Sequence, residues 1–188
     1  MTDFLRFPHT PHLAWLGNGT PRDDKVLSPA EAQTLLAEAV VIEEKLDGAN
    51  LGLSISPDGT LWAQNRGQYL IAPYAGQFER LGHWIDARED ALFDALGENL
   101  ILFGEWCAAR HSVAYDHLPD WFLVFDVYDR SVCCFWSTAR RDALARSLGF
   151  IPTKVRNPPQ SRLFSLNREV VPKTSKWLEV LVDFRNDV

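Results

Sequence analysis

Cysteine is scarce in this chain: 188 residues hold three, Cys107 and the adjacent pair Cys133 and Cys134. With no second couple and no metal-ligand spacing, a disulfide scaffold and a structural zinc site are excluded, and a reduced, cytoplasmic setting is expected. His9, His12, His83, His111 and His117 are scattered without a metal-like constellation, and Arg110-His111 reads as a satisfied loop pair. Long hydrophobic runs are missing too. The longest, such as Trp121 to Val127, fall far short of the roughly 20 apolar residues that span a bilayer. The N-terminus carries Asp3 and Arg6 in place of a basic region followed by an apolar run, so neither a membrane span nor an export signal is expected. No Gly/Ser-rich, Gln-rich or acidic low-complexity stretch interrupts the chain, which argues against disorder.

Positive charge is also thin, with a formal net charge of −6. Phosphate binding rests on Lys and Arg, so an acidic chain argues at first against a nucleic-acid partner. The distribution says more: residues 1–129 hold 8 Lys and Arg against 20 Asp and Glu, and residues 130–188 hold 11 against 5. A phosphate-tracking surface is therefore expected in the last third. What is present is an ordinary globular composition, 46% hydrophobic and 23% charged. That suffices for one domain with its own core, or a domain with a short appendage.

The segment to Lys25 is rich in Pro, Gly and His and has no sustained period, so an irregular arm is expected. Ser28-Pro29-Ala30-Glu31 sets an N-cap, a first-turn proline and a capping-box acid ahead of Ala32 to Ala39, which predicts a helix. Val40 to Glu44 is a β-branched run expected to be a strand. Leu51 to Ser56 alternates before the Pro57-Asp58-Gly59 turn and Leu61 to Gln64, which predicts a hairpin, with Lys45 to Asn50 in the loop between. Residues 74–96 place Phe78, Leu81, Ile85, Leu92 and Leu96 at helical spacing, closed by Gly97. Leu100 to Trp106, Trp121 to Tyr128 and Cys133 to Trp136 read as strands, and Thr138 to Leu148 as a helix ending at Gly149. The pattern is α+β, with mainly antiparallel sheet and flanking helices. Composition changes after Pro152, so residues 1–155 are expected to form the main domain and 156–188 a divergent or truncated C-terminal segment.

The chemistry centres on Glu44-Lys45-Leu46-Asp47-Gly48-Ala49-Asn50, which has the form Lys-x-Asp-Gly. A lysine must shed its proton to attack phosphorus, and a following glycine lets backbone approach a nucleotide. Taken alone, so short a motif serves equally well as a surface turn closed by Asp47-Gly48.

Three further segments follow in order: Asn65-Arg66-Gly67, Phe103-Gly104-Glu105 and Phe125-Asp126-Val127-Tyr128. With Lys-x-Asp-Gly they resemble the covalent nucleotidyltransferase superfamily, and within it the ATP-dependent RNA ligases, over about residues 7–150. The resemblance implies a nucleotidyltransferase domain of ATP-grasp-like type and a lysyl-AMP intermediate on Lys45. It implies nucleotide contacts from Glu44, Asp47, Gly48, Asn50 and Arg66, ribose binding by Glu105, adenine stacking on Phe125, and a metal-phosphate role for Asp126. ATP and Mg2+ are the implied cofactors, and RNA with 5′-phosphate and 3′-hydroxyl ends, as in RNA repair, the implied partner. Glu105 supports this by position: an acid closing five nearly unbroken apolar residues needs a ligand, a metal or a hydrogen-bond donor.

Past residue 150 the resemblance fails. Members of the family continue with a Glu-Gly strand and then a Lys-x-Lys strand. The nearest segments here are Arg168-Glu169-Val170-Val171, which lacks the glycine, and Lys173 with Lys176, three apart. Either the chain is a truncated or frame-altered relative, which is the expectation, or the tail supplies degenerate equivalents from Glu169, Lys173 and Lys176. Phosphoryl transfer depends on preorganised positive groups, and losing them lowers the rate by orders of magnitude. The alternative function is thus an inactive or step-one-only nucleotide-binding relative. DNA ligation or RNA capping is a further alternative, although Asn50, where DNA ligases carry arginine, points to RNA.

Overall fold

A computed structural model describes residues 4–15, 26–37 and 40–154. The expectations for Glu169, Lys173, Lys176 and the segment 156–188 lie outside the described residues. The chain divides into two compact units. Among the described residues, one unit holds 4–7 and 46–152, and the other holds 8–15, 26–37, 40–45 and 153–154.

The smaller unit carries α1 (Pro29–Leu36), capped as the sequence predicts. The Ser28 hydroxyl accepts from Glu31 N–H at 3.3 Å, and the Glu31 carboxylate accepts from Ser28 N–H at 2.8 Å. Val40 to Glu44, expected as a strand, forms none among the described residues, where a single bridge position falls at Glu43. The run is tied to residues 153–154 instead, with Glu44 N–H donating to Lys154 O at 3.0 Å and the Thr153 hydroxyl to the buried Glu43 carboxylate at 3.1 Å. β-branched composition favours a pleated surface but does not supply a partner strand.

The larger unit is built on one six-stranded sheet. Its strands are β1 (Ala49–Ile55), β2 (Leu61–Gln64), β3 (Leu100–Trp106), β4 (Phe122–Asp129), β5 (Cys134–Phe135) and β6 (Ile151–Pro152). The order β2-β1-β3-β4-β5 is antiparallel throughout, with β6 parallel to β4. Ala49 and Asn50, expected in a loop, open β1 because they pair with Trp106 and Glu105.

Alternation gives the sheet two different faces. Leu51, Leu53, Leu102, Trp106, Phe122, Val124 and Val127 line one, buried under α2 (Leu81–Asp86), α3 (Glu89–Leu96), α4 (Thr138–Ser147) and a short 3-10 helix at Gly76–Phe78. Trp84 of α2 anchors this core, its ring 5.8 Å from Trp106, 5.2 Å from Phe122 and 5.5 Å from Phe150. No helix among the described residues is long and apolar enough to cross a membrane.

The other face carries Asn50, Gly52, Ile101, Phe103, Glu105, Leu123, Asp126 and Tyr128, as the register of β1, β3 and β4 requires. Phe103 pairs with Asp126 and Gly104 with Val124, so Phe125 is an extra residue, a β-bulge. Fully buried Arg141 of α4 braces the bulge: it donates to Phe125 O at 2.7 Å and holds Asp142 through two nitrogens at 2.9 and 2.6 Å. Residues 4–7 lie against the same face. Phe7 packs on Phe103, Phe125 and Phe135 at 5.0, 5.1 and 5.6 Å, and Gln64 Nε2 donates to Leu5 O at 2.7 Å.

Candidate active site

The Lys-x-Asp-Gly loop enters the sheet unit at Leu46, whose buried side chain packs with Cys107 and Leu123 and against Tyr115 and Leu118. Asp47 follows, and one carboxylate oxygen, Oδ2, takes three hydrogen bonds: Ser112 N–H at 2.8 Å, Ser112 hydroxyl at 2.6 Å and Val113 N–H at 2.8 Å. Its own N–H donates to the Tyr115 phenolic oxygen at 2.6 Å. Partial burial pushes the Asp47 carboxyl up, but these donors, with the nearby His111, outweigh it and hold the group below the usual carboxylate range. Burial pushes the Tyr115 phenol up to about 12.

Gly48 packs against β3 without room for a side chain. Its N–H donates to Glu105 Oε1 at 2.8 Å, and a Cβ there would sit 2.4 Å from Trp106 O. The backbone passes so close to β3 that only glycine fits. Burial, then the charges of Glu105 and Asp47, push the adjoining Cys107 thiol up to about 12.

On the face of β1 and β3 away from the helices, Asn50 lies directly across from Glu105, and its Oδ1 is buried without a hydrogen-bond partner. A buried carbonyl without a donor is a point where a ligand group would be stabilised. Asp126 and Phe125, both half-buried, belong to the same face one row further along, with Phe125 held edge-on by Phe7. Among the described residues no three His, Cys, Asp or Glu side chains gather to hold a metal. Mg2+, however, uses one or two carboxylates with substrate phosphates and water. Asp126, sharing a face with Glu105 and the orphaned Asn50 oxygen, fits that sparse donor set.

Asp47, Gly48, Asn50, Glu105, Phe125 and Asp126 therefore meet on one loop and one sheet face. Arg66 belongs to the same unit but sits exposed in the turn after β2, where Asn65 Oδ1 accepts from Gly67 and Gln68 N–H at 2.8 and 2.9 Å. Glu44, half-buried, and Lys45, exposed, close the smaller unit's segment 40–45. Ser112, Tyr115, Arg141 and Phe7 escaped the sequence reading. Each acts through a contact distant in sequence, and no local motif marks it.

The RNA ligase family model matches residues 38–174, well over half of the chain. A Naegleria gruberi RNA ligase point mutant with ATP and Mn matches in structure at 16% identity and a TM-score of 0.52, over 66% of this chain and 38% of that one. A second point mutant of the same ligase, also with ATP and Mn, matches at 15% identity and a TM-score of 0.50, over 79% and 45%. The chain thus spans less than half the length of these ligases, and at such identity the likeness establishes the fold. No protein of curated function matches.

Proposed function

The chain belongs to the RNA ligase family, and from that premise we propose that it is an adenylyltransferase that forms lysyl-AMP on Lys45 and seals RNA ends. In the first step the neutral Lys45 amine attacks the α-phosphorus of ATP. An N–P bond forms, the bond to the bridging oxygen breaks, and pyrophosphate leaves. A 5′-phosphate oxygen of RNA then displaces the lysine to give an adenylylated end, and a 3′-hydroxyl displaces AMP to close the strand.

The observation that carries this reading is the bond from Gly48 N–H to the Glu105 carboxylate, which joins the Lys-x-Asp-Gly loop to the Phe-Gly-Glu strand across 57 residues of sequence. Two segments that resemble ligase motifs gain weight when they bond to each other. The roles follow from chemistry. Gly48 gives the nucleotide backbone to lie on, Glu105 and Asn50 offer acceptors to the ribose hydroxyls, and Phe125 offers a ring to adenine. Arg66 offers a planar fork to phosphate, and Glu44 contributes beside the nucleophile. Mg2+, held through Asp126 and the triphosphate, would neutralise phosphate charge. The Naegleria structures with ATP and Mn support a nucleoside triphosphate with a divalent cation as the ligand pair.

Incubation with α-labelled ATP and Mg2+, followed by denaturation, tests the first step. Label is expected on wild type and absent from Lys45→Ala; undiminished label in that variant rejects the role of Lys45. Label without sealing of a nicked RNA marks a step-one-only protein, and preferential sealing of nicked DNA rejects the RNA assignment.

A further inference from the structure

An ATP-handling site needs cations near its phosphates, and most arginines of the sheet unit are engaged elsewhere. Arg80 lies over the Trp121 ring at 5.1 Å. Arg88 lies over Trp84 at 4.5 Å and pairs with Asp120 at 3.0 Å. Arg130 donates to Glu98 O at 3.2 Å, and Arg141 is buried on Asp142. Arg110 and His111 are exposed, as Arg66 is, and they immediately precede Ser112, which bonds to Asp47.

Their loop is fixed at both ends to the Lys-x-Asp-Gly segment. Ser112 and Val113 close on the Asp47 carboxylate, Tyr115 receives the Asp47 N–H, and Cys107, Tyr115 and Leu118 pack with Leu46. The Asp47 charge is taken up by three donors on one oxygen, so it anchors the loop while Arg110 and His111 stay at the surface. His111 lies near enough to Asp47 to help hold that carboxyl below its usual range. A guanidinium fork matches phosphate oxygens bidentately, and an imidazole N–H adds a further donor.

We propose that Arg110 and His111 form a subsite for a terminal phosphate, either the pyrophosphate portion of ATP or the 5′-phosphate of an RNA end. The inference deepens the adenylyltransferase reading and rests on it for the identity of the ligand.

The test compares full-length wild type with an Arg110→Ala/His111→Ala double variant. Calorimetry with inorganic pyrophosphate and Mg2+ forms one arm. Fluorescence anisotropy with an RNA oligonucleotide bearing a 5′-phosphate or a 5′-hydroxyl forms the other. At least one phosphate-bearing probe is expected to bind about tenfold more weakly to the variant, with 5′-hydroxyl RNA unchanged and partial recovery when Arg110→Lys replaces the alanine. Loss confined to pyrophosphate assigns the subsite to ATP, and loss confined to 5′-phosphorylated RNA assigns it to the RNA end. Affinities for both probes within twofold of wild type, or no binding of either probe to wild type, overturn the subsite. Label on Lys45 is scored separately. A wild type that takes no label but loses phosphate affinity on substitution removes the adenylyltransferase reading and leaves the subsite.

Discussion

Replacing Gly48 by alanine should strike fold and chemistry together. The new Cβ would lie 2.4 Å from Trp106 O and 3.0 Å from Cys107 Sγ. Trp106 O belongs to the backbone of β3 and cannot rotate aside, so the loop must retreat by roughly 1 Å to reach ordinary contact. That retreat pulls Gly48 N–H away from the Glu105 carboxylate, which it meets at 2.8 Å. Overpacking costs about 1–3 kcal/mol, and a hydrogen bond to a charged group contributes about 1.5–3 kcal/mol. One movement relieves the first while losing the second, so the two do not add in full, and a net loss of about 2–4 kcal/mol is expected. For a chain of this size that lowers the thermal midpoint by roughly 4–16 °C. Urea unfolding followed by tryptophan fluorescence measures it, with Gly67→Ala as the control, since a Cβ there meets nothing nearer than Asn65 Oδ1 at 3.7 Å. If the two variants unfold at the same denaturant concentration, the close approach of the loop to β3 is wrong.

Two other expectations concern ionisation. Asp47 has a lowered carboxyl pKa in the folded chain, so its stabilising contribution is complete above the ordinary value near 4 and disappears as pH falls through the folded value. Asp47→Asn should flatten the acid limb of a stability profile taken between about pH 2.5 and 6, and an unchanged limb contradicts the three-donor anchor. Cys107, buried and pushed up to about 12, carries almost no thiolate at neutral pH, whereas Cys133 and Cys134 are exposed. A thiol reagent should therefore titrate two groups in the native chain and the third only in denaturant; three rapid equivalents would contradict the packing around Leu46.

Much of the architecture is legible in the sequence because it is written locally. Ser28 and Glu31 announce α1 within four residues, and the alternation from Leu51 to Gln64 announces the hairpin of β1 and β2. Gly97 and Gly149 close α3 and α4 at positive φ, 49° and 70°, as their positions suggest. The failures are equally physical. Val40 to Glu44 has strand composition, yet Glu43 and Glu44 bond to residues 153–154, a pairing that no local window contains. Within the candidate site, Glu105 is recognisable because a carboxylate at the end of an apolar run needs a donor, and Gly48 supplies one. The Ser112 and Tyr115 anchors of Asp47 lie 65 and 68 residues away and leave no periodic trace. Arg141 was hidden for the opposite reason, since an arginine on a polar helix looks solvated until the bulge beneath it is known.

That bulge frees one position of β4 from the arithmetic of the ladder. Val124 and Asp126 would already alternate correctly if they were bonded to each other, so the pairing of β3 with β4 has no need of Phe125. The residue is surplus to the sheet, and the guanidinium of α4 absorbs the carbonyl left over. A side chain in such a place can be exchanged without turning its neighbours over, leaving its shape to be set by whatever it touches.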